Sequence, residues 1–247
     1  MVTIYVAGLA VGLDTESRFI RRQCEPFLTA QPPELTVRAT EAEICAEQTL
    51  AACTRDQAEF VCLHRALAYR LLTRDRFVLH GAAIQIDGRA CLFTAKSGVG
   101  KSTHIRLWRE VFGARVRIVN GDKPILWKRD GRWLVCGTPW CGKEGWTSTD
   151  CVPAAGLCLL ERAPENEIHP ASEEELADHI FHQIPHPAQP ALFVRELELL
   201  GDFLAATPCW QLRCTPTPEA ARLAAKTMLA ESMELEPEAF ETASTQQ

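Results

Sequence analysis

The chain has 247 residues, 47% of them hydrophobic and 23% charged, with a formal net charge of -6. That length and apolar content suit one sizeable domain or a main domain with a small lobe, and the acidic balance argues against the broad basic face that nucleic acid requires. No stretch approaches the ~18 apolar residues that span a bilayer, and the start lacks a basic leader, so a cytoplasmic protein without membrane contact is expected.

Residues 1–55 read as a β-rich start, with a strand through Thr3-Ile4-Tyr5-Val6-Ala7, a helix over 16–27 and a second strand over 35–39. Phe60, Leu63, Leu67 and Leu71 recur at helical spacing and predict a helix over 56–74. A strand over 77–84 follows, and Asp87-Gly88 turns it into a second strand over 90–94. Next come a helix over 101–111 and an apolar strand over 115–119 that ends on Asn120-Gly121-Asp122. Asp130-Gly131 marks another hairpin, between 124–127 and 133–136. A strand over 154–161 precedes a helix opened by a capping box of Ser172 and Glu175 and running through His182. A helix over 191–204, a strand over 210–214 and a helix opened by Thr217-Pro218 complete an α/β architecture rich in hairpins. The segment 236–247 reads as a disordered tail.

Eleven cysteines in such a chain are expected to stay reduced, and most to act as small buried hydrophobes. No Cys-x-x-Cys pair occurs; the alternative is a four-thiolate site built from Cys136/Cys141 and Cys209/Cys214. His179, His182 and His186 are separated by Pro185 from any common helical face and read as structural or surface residues.

The densest chemistry lies between the strand over 90–94 and the helix after it, in Ser97-Gly98-Val99-Gly100-Lys101-Ser102-Thr103. A phosphate-binding loop needs glycines that let backbone N–H groups turn toward an anion, a lysine for the β and γ phosphates, and a hydroxyl for magnesium. Gly98 and Gly100, Lys101, and Ser102 supply these in turn, and the loop opens a helix whose first amides attract anions. Ala95 stands where the usual pattern begins with glycine. Asp122, at the end of the next apolar strand, is placed to bring a carboxylate beside that magnesium.

His80-Gly81 on a strand, a short hairpin, this loop, and a strand ending in an acid together resemble the catalytic domain of bacterial HPr kinase/phosphorylase. That domain shares its loop with phosphoenolpyruvate carboxykinases. The resemblance covers roughly 77–161 and the helices beyond. It does not extend to the first 70 or so residues. Small HPr-kinase-related proteins also carry the strings seen here as Ser102-Thr103-His104-Ile105-Arg106-Leu107-Trp108 and Gly137-Thr138-Pro139-Trp140-Cys141-Gly142-Lys143. The resemblance implies an HPr-kinase/carboxykinase-like P-loop domain over 76–235, with mixed hairpin-rich sheets and flanking helices, and a small N-terminal α/β region over 1–75 packed on it. It implies that residues 97–103 bind ATP, that Ser102 and Asp122 hold Mg2+, and that His80 and Asp122 lie by the transferred phosphate. Lys143 is implied near phosphate or substrate; Arg162 and Asn166, in the loop expected after the strand over 154–161, are placed to reach the nucleotide. Where that family usually has two successive acids, this chain has Gly121-Asp122. The implied activity is ATP-dependent phosphorylation of a serine on a protein or peptide. HPr kinases are hexamers, which raises a homo-oligomer here. A nucleotide-binding regulator with little catalysis, and a small-metabolite kinase with a compact pocket near Trp140, remain as alternatives.

Overall fold

A computed structural model of the chain describes residues 1–96 and 98–229; Ser97 and the expected tail over 236–247 lie outside the described residues. The fold is mixed α/β. Strand β1 (Val2–Val6) turns at Ala7-Gly8 into β2 (Leu9–Leu13), and β3 (Leu35–Val37) joins β2 in parallel to give a three-stranded sheet of order β1-β2-β3. Three helices follow the first hairpin: α1 (Arg18–Gln23), α2 (Glu41–Ala51) and α3 (Arg55–Leu71). The helix expected over 16–27 is α1 plus a 3-10 turn at Glu25–Phe27. Helix α2 is not expected from the sequence pattern. Thr40 and Glu43 form a full capping box, yet Ile44 is its one buried side chain, so it carries no apolar stripe to read.

The second sheet has nine strands, and β10 (Cys151–Arg162) joins its two halves. The start of β10 pairs antiparallel with β9 (Arg132–Cys136), which leads through β8 (Ile125–Arg129) to β4 (Arg76–Val78). Its remainder runs parallel to β6 (Arg89–Thr94) on one side and β12 (Cys209–Cys214) on the other. Beyond β6 lie β5 (Ala82–Ile86) and β7 (Val116–Asn120), and β11 (Glu167–Pro170) pairs with β12. Both Asp-Gly hairpins form as expected, with positive φ at Asp87, Gly88, Asp130 and Gly131.

The single strand expected over 77–84 is instead two. The His80 N–H pairs with the Gln183 carbonyl (2.7 Å) and the Gly81 N–H with the Asp122 carbonyl (2.8 Å), so the chain leaves β8 there and enters β5. His80 therefore sits at the break between the two halves of the sheet, not within a strand.

Helices cover both faces of this sheet. Alternate residues such as Ile84, Phe93 and Cys158 pack toward α4 (Lys101–Phe112) and α7 (Pro218–Met228). Their neighbours Ala83, Leu92 and Leu157 pack with Ile180 of α5 (Glu173–Ile180) and Phe203 of α6 (Pro190–Ala206). This is the period-two pattern of a strand buried on both sides. The α5 capping box of Ser172 and Glu175 forms, and the helix closes in a 3-10 turn over Phe181–Gln183. The small sheet and α3 share a core with Val78, Ile125, Cys136 and Trp140. Among the described residues no helix is long and apolar enough to cross a membrane.

The cysteines depart from expectation at one place. Cys136 and Cys151, direct partners across β9 and β10, form a disulfide. The four-thiolate alternative fails: Cys136 is already bonded, and among the described residues no cluster of three or more His, Cys, Asp or Glu could hold a metal ion. Of the nine free thiols, Cys24, Cys62, Cys91, Cys141 and Cys158 are buried, as small hydrophobes should be.

A candidate phosphate-binding site

The loop between β6 and α4 starts at the buried Ala95 and ends at Gly100, which precedes the first residue of α4. Gly98 and Gly100 have φ of 79° and 128°, a region that L side chains rarely adopt. Gly100 offers no side-chain cap, so the first amides of α4 have no capping oxygen. Such uncapped first-turn amides suit an anion. Arg162, at the end of β10, donates to the carbonyls of Val99 (2.9 Å) and Gly98 and clasps the loop from outside. Arg162, expected within reach of the nucleotide, thus holds the loop and also lines the cleft beside it. Asn166 accepts from the Thr215 N–H at 2.8 Å and so ties the β11 turn to the end of β12.

Three elements bring the predicted residues together. Lys101 Nζ, in the first turn of α4, lies 3.4 Å from His80 Nε2 and donates to the Ala95 carbonyl at 3.4 Å. His80 Nε2 in turn lies 3.2 Å from Asp122 Oδ1. The His80 backbone is pinned by the Gln183 carbonyl and by the Thr94 hydroxyl, which donates to the His80 carbonyl at 2.9 Å. Burial pushes the Lys101 ammonium below the ordinary lysine value; the Asp122 charge opposes this and Lys123 adds to it. Burial also works against ionisation of Asp122, but the hydrogen bond from His80 and the adjoining Lys123 ammonium outweigh it and hold the carboxyl well below the usual range.

Asn120, whose place in the sequence suggests turn chemistry alone, is the residue that aims Asp122. It is fully buried at the end of β7, and its Oδ1 accepts from the N–H groups of Asp122 (2.9 Å) and Lys123 (2.7 Å). Its Nδ2 donates to the carbonyl (3.0 Å) and hydroxyl (3.1 Å) of Thr138, and that hydroxyl donates to the Lys123 carbonyl at 2.8 Å. Lys123 is likewise unmarked in the sequence; its ammonium pairs directly with Asp122. The Asn-x-Asp spacing is the signal that points to Asn120, since an Asn side chain commonly caps the amide two residues on.

The segment 137–147 lies over this corner. A Cβ on Gly121 would stand 2.8 Å from the Cys141 carbonyl oxygen and 3.2 Å from Trp146 Cβ. The site therefore has no room for a second acid beside Asp122. Gly142 packs against the Asp122 side chain from the other direction, where its own Cβ would meet Asp122 Cβ at 3.1 Å.

Both sequence strings resolve largely into packing. His104 and Trp108 are buried on α4, and the indole N–H donates to His104 Nε2 at 2.9 Å. Trp140 is buried, stacks on Phe60 with centroids 5.0 Å apart, and donates to the Phe60 carbonyl at 2.9 Å. Lys143 is exposed on this segment, and no ion pair or hydrogen bond holds its ammonium among the described residues. Ser102 lies half-buried and Thr103 exposed in the first turn of α4. His186 is held by Glu196 (2.8 Å) and the Phe181 carbonyl (2.7 Å), a structural role in keeping with expectation.

A cleft of about 540 Å³ opens beside the loop, between α4 and the ends of β10 and β12, lined by Val99, Gly100, His104, Leu160, Arg162 and Thr215.

No protein-family model matches the sequence, and no curated protein is similar to it. Among solved structures the chain is similar to the HPr(Ser) kinase/phosphatase from Coxiella burnetii, with 11% sequence identity and a TM-score of 0.37, over 64% of this chain and 92% of that chain. The likeness is a distant one, and the function is read from the side chains.

Proposed function

We propose that the chain binds a nucleoside triphosphate, ATP in the first instance, against residues 97–103 and transfers its γ-phosphate to a serine hydroxyl of a protein or peptide. The observation that carries this reading is the convergence of Lys101 and Asp122 on His80, at 3.4 Å and 3.2 Å from its Nε2, at the uncapped start of α4. Phosphoryl transfer asks little covalent chemistry of a protein; it needs charge neutralisation and an acceptor held in line. Lys101 supplies positive charge at the loop, and its lowered pKa reflects a partly desolvated ammonium, where electrostatic interaction is strong. Lys143, unpaired on the adjoining segment, is a second cation close to the same corner in sequence terms, one residue beyond the Gly142 that packs on Asp122.

The residues also fit a magnesium ion. Magnesium is commonly held by one or two carboxylates together with substrate phosphates. Asp122 is kept ionised, and the Ser102 hydroxyl lies in the first turn of the helix. Ser102 and Asp122 would hold the ion, which when bound supplies neutralisation of developing phosphate charge. Asp122, which accepts from His80 Nε2, orients the acceptor hydroxyl and receives its proton as the new bond to phosphorus forms and the bond to the departing diphosphate breaks. The nucleoside fits the cleft of about 540 Å³ flanking Val99 and Gly100.

The test is transfer of label from γ-labelled ATP, with magnesium, to polypeptides of the cognate cell lysate, for wild type and Lys101→Ala. Label in a polypeptide, lost in the variant, supports the kinase reading. A second reading, a nucleotide-binding regulator, is favoured by the ion pair between Lys123 and Asp122 and by the closed position at Gly121. ATP binding with no label in any polypeptide would select it and remove the protein-kinase reading.

A further inference from the structure

A groove of about 690 Å³ lies apart from the phosphate corner, sharing none of its residues, between β3, the second half of α3 and the segment 187–192. Three arginines line it: Arg38 at the end of β3, Arg70 on α3, and Arg74 in the 3-10 turn after α3. All three are exposed, and none of the guanidinium groups has an ion-pair or hydrogen-bond partner among the described residues. No carboxylate lines the groove. In a chain of net charge -6, three unpaired cations converging on one acid-free groove form a local field opposite in sign to the average.

The groove has a second property. β3 is the last strand of the order β1-β2-β3, so one of its edges meets no strand among the described residues. Leu35 and Val37 point into the core shared with α3, and Thr36 between them is exposed. An open edge is a template for an incoming extended chain, whose main chain pairs with it while flanking pockets read its side chains. One charge on an edge is enough to discourage self-pairing. Three around the same groove exceed that need.

We infer that the groove between β3 and α3 is a docking site for an acidic, extended polypeptide segment, paired along β3 and read by Arg38, Arg70 and Arg74. It builds on the polypeptide acceptor proposed above, as a place that holds the substrate at a distance from the phosphorylated serine. Charge complementarity commits the occupant: a basic or neutral segment would leave all three guanidinium groups unpaired.

The test reads docking without phosphate transfer, so that it and the kinase reading can fail separately. A short fluorescein-labelled peptide alternating Glu and Val is titrated by anisotropy against the full chain, beside its Lys/Val counterpart. The Glu peptide is expected to bind, more tightly at low salt, and to lose at least about tenfold in affinity in the triple variant R38E/R70E/R74E. The triple Arg-to-Lys variant keeps the charge and is expected to retain binding within a few fold, and both variants should keep the wild-type melting temperature, because the three side chains are exposed. Equal binding of the Lys peptide, or unchanged binding in the charge-reversed variant, would overturn the proposal. So would short duplex DNA that binds more tightly than the Glu peptide and displaces it, which would make the groove a general polyanion site.

Discussion

Asp122 stands between opposing influences: burial favours its neutral form, while His80 and Lys123 favour the carboxylate, and the carboxylate wins. The neighbouring position is equally constrained, by space. Gly121→Asp would restore a pair of acids in sequence, but its Cβ meets the Cys141 carbonyl and Trp146. The expected result is a loss of about 1–3 kcal/mol in urea unfolding with no gain in magnesium affinity; a variant as stable as wild type would show that the 137–147 segment yields easily. His104 gives a different handle. Burial pushes it down to about 4, and buried His64 down to about 3. In the unfolded chain both titrate near ~6.5. Below that pH the unfolded chain takes up protons that the fold refuses, so the stability is complete above about 6.5 and is lost as pH falls toward 4. His104→Gln keeps an acceptor for Trp108 without a titrating group. It is expected to flatten the fall by up to about 1.4 kcal/mol per pH unit, measured as the pH dependence of the urea midpoint; an unchanged slope would assign the acid sensitivity elsewhere. Of these residues, Lys101, Ser102 and Asp122 stand out in the sequence because each belongs to a local pattern, and His80 only through the family resemblance. Asn120 shows in the sequence only as the first residue of a turn, and Lys123 not at all, since the partner that fixes them, Thr138, lies 18 and 15 residues further along the chain.

At the scale of elements, the loop before α4 is held from outside by a residue of another strand. Arg162→Ala releases the Gly98 and Val99 carbonyls and leaves the core intact. ATP binding measured by calorimetry should weaken on the order of tenfold while the melting temperature holds; an unaltered affinity would mean that the loop keeps its shape without the clasp. The hairpins are legible because Asp-Gly supplies the two positive-φ positions that such turns require. The division of β4 from β5 is hidden, because Phe77 to Ala83 contains a near-continuous apolar run and the hydrogen bonds that break it come from Gln183 and Asp122. Strand β11, four residues long, pairs only with β12 and bears no alternation strong enough to mark it. The Cys136–Cys151 pairing is equally out of reach, since it depends on the β9–β10 register.

At the scale of the whole molecule, the three-stranded sheet and α3 share a core with Trp140, whose segment closes over Asp122. The corner around Asp122 is thus buttressed by the N-terminal residues through Phe60 and Trp140. The fold sets cations in two separate places, Lys101 at the loop before α4 and the three arginines of the groove beside β3. The loop and Asp122 are proposed together to bind a magnesium–triphosphate. The direct measurement is titration of a fluorescent ATP analogue, with and without magnesium, against wild type, Lys101→Ala and Asp122→Asn. Magnesium-dependent binding is expected in wild type, with a loss of about 100-fold in Lys101→Ala and binding in Asp122→Asn that no longer responds to magnesium. Wild-type affinity in Lys101→Ala, or no binding to the wild-type chain at all, would contradict the proposal.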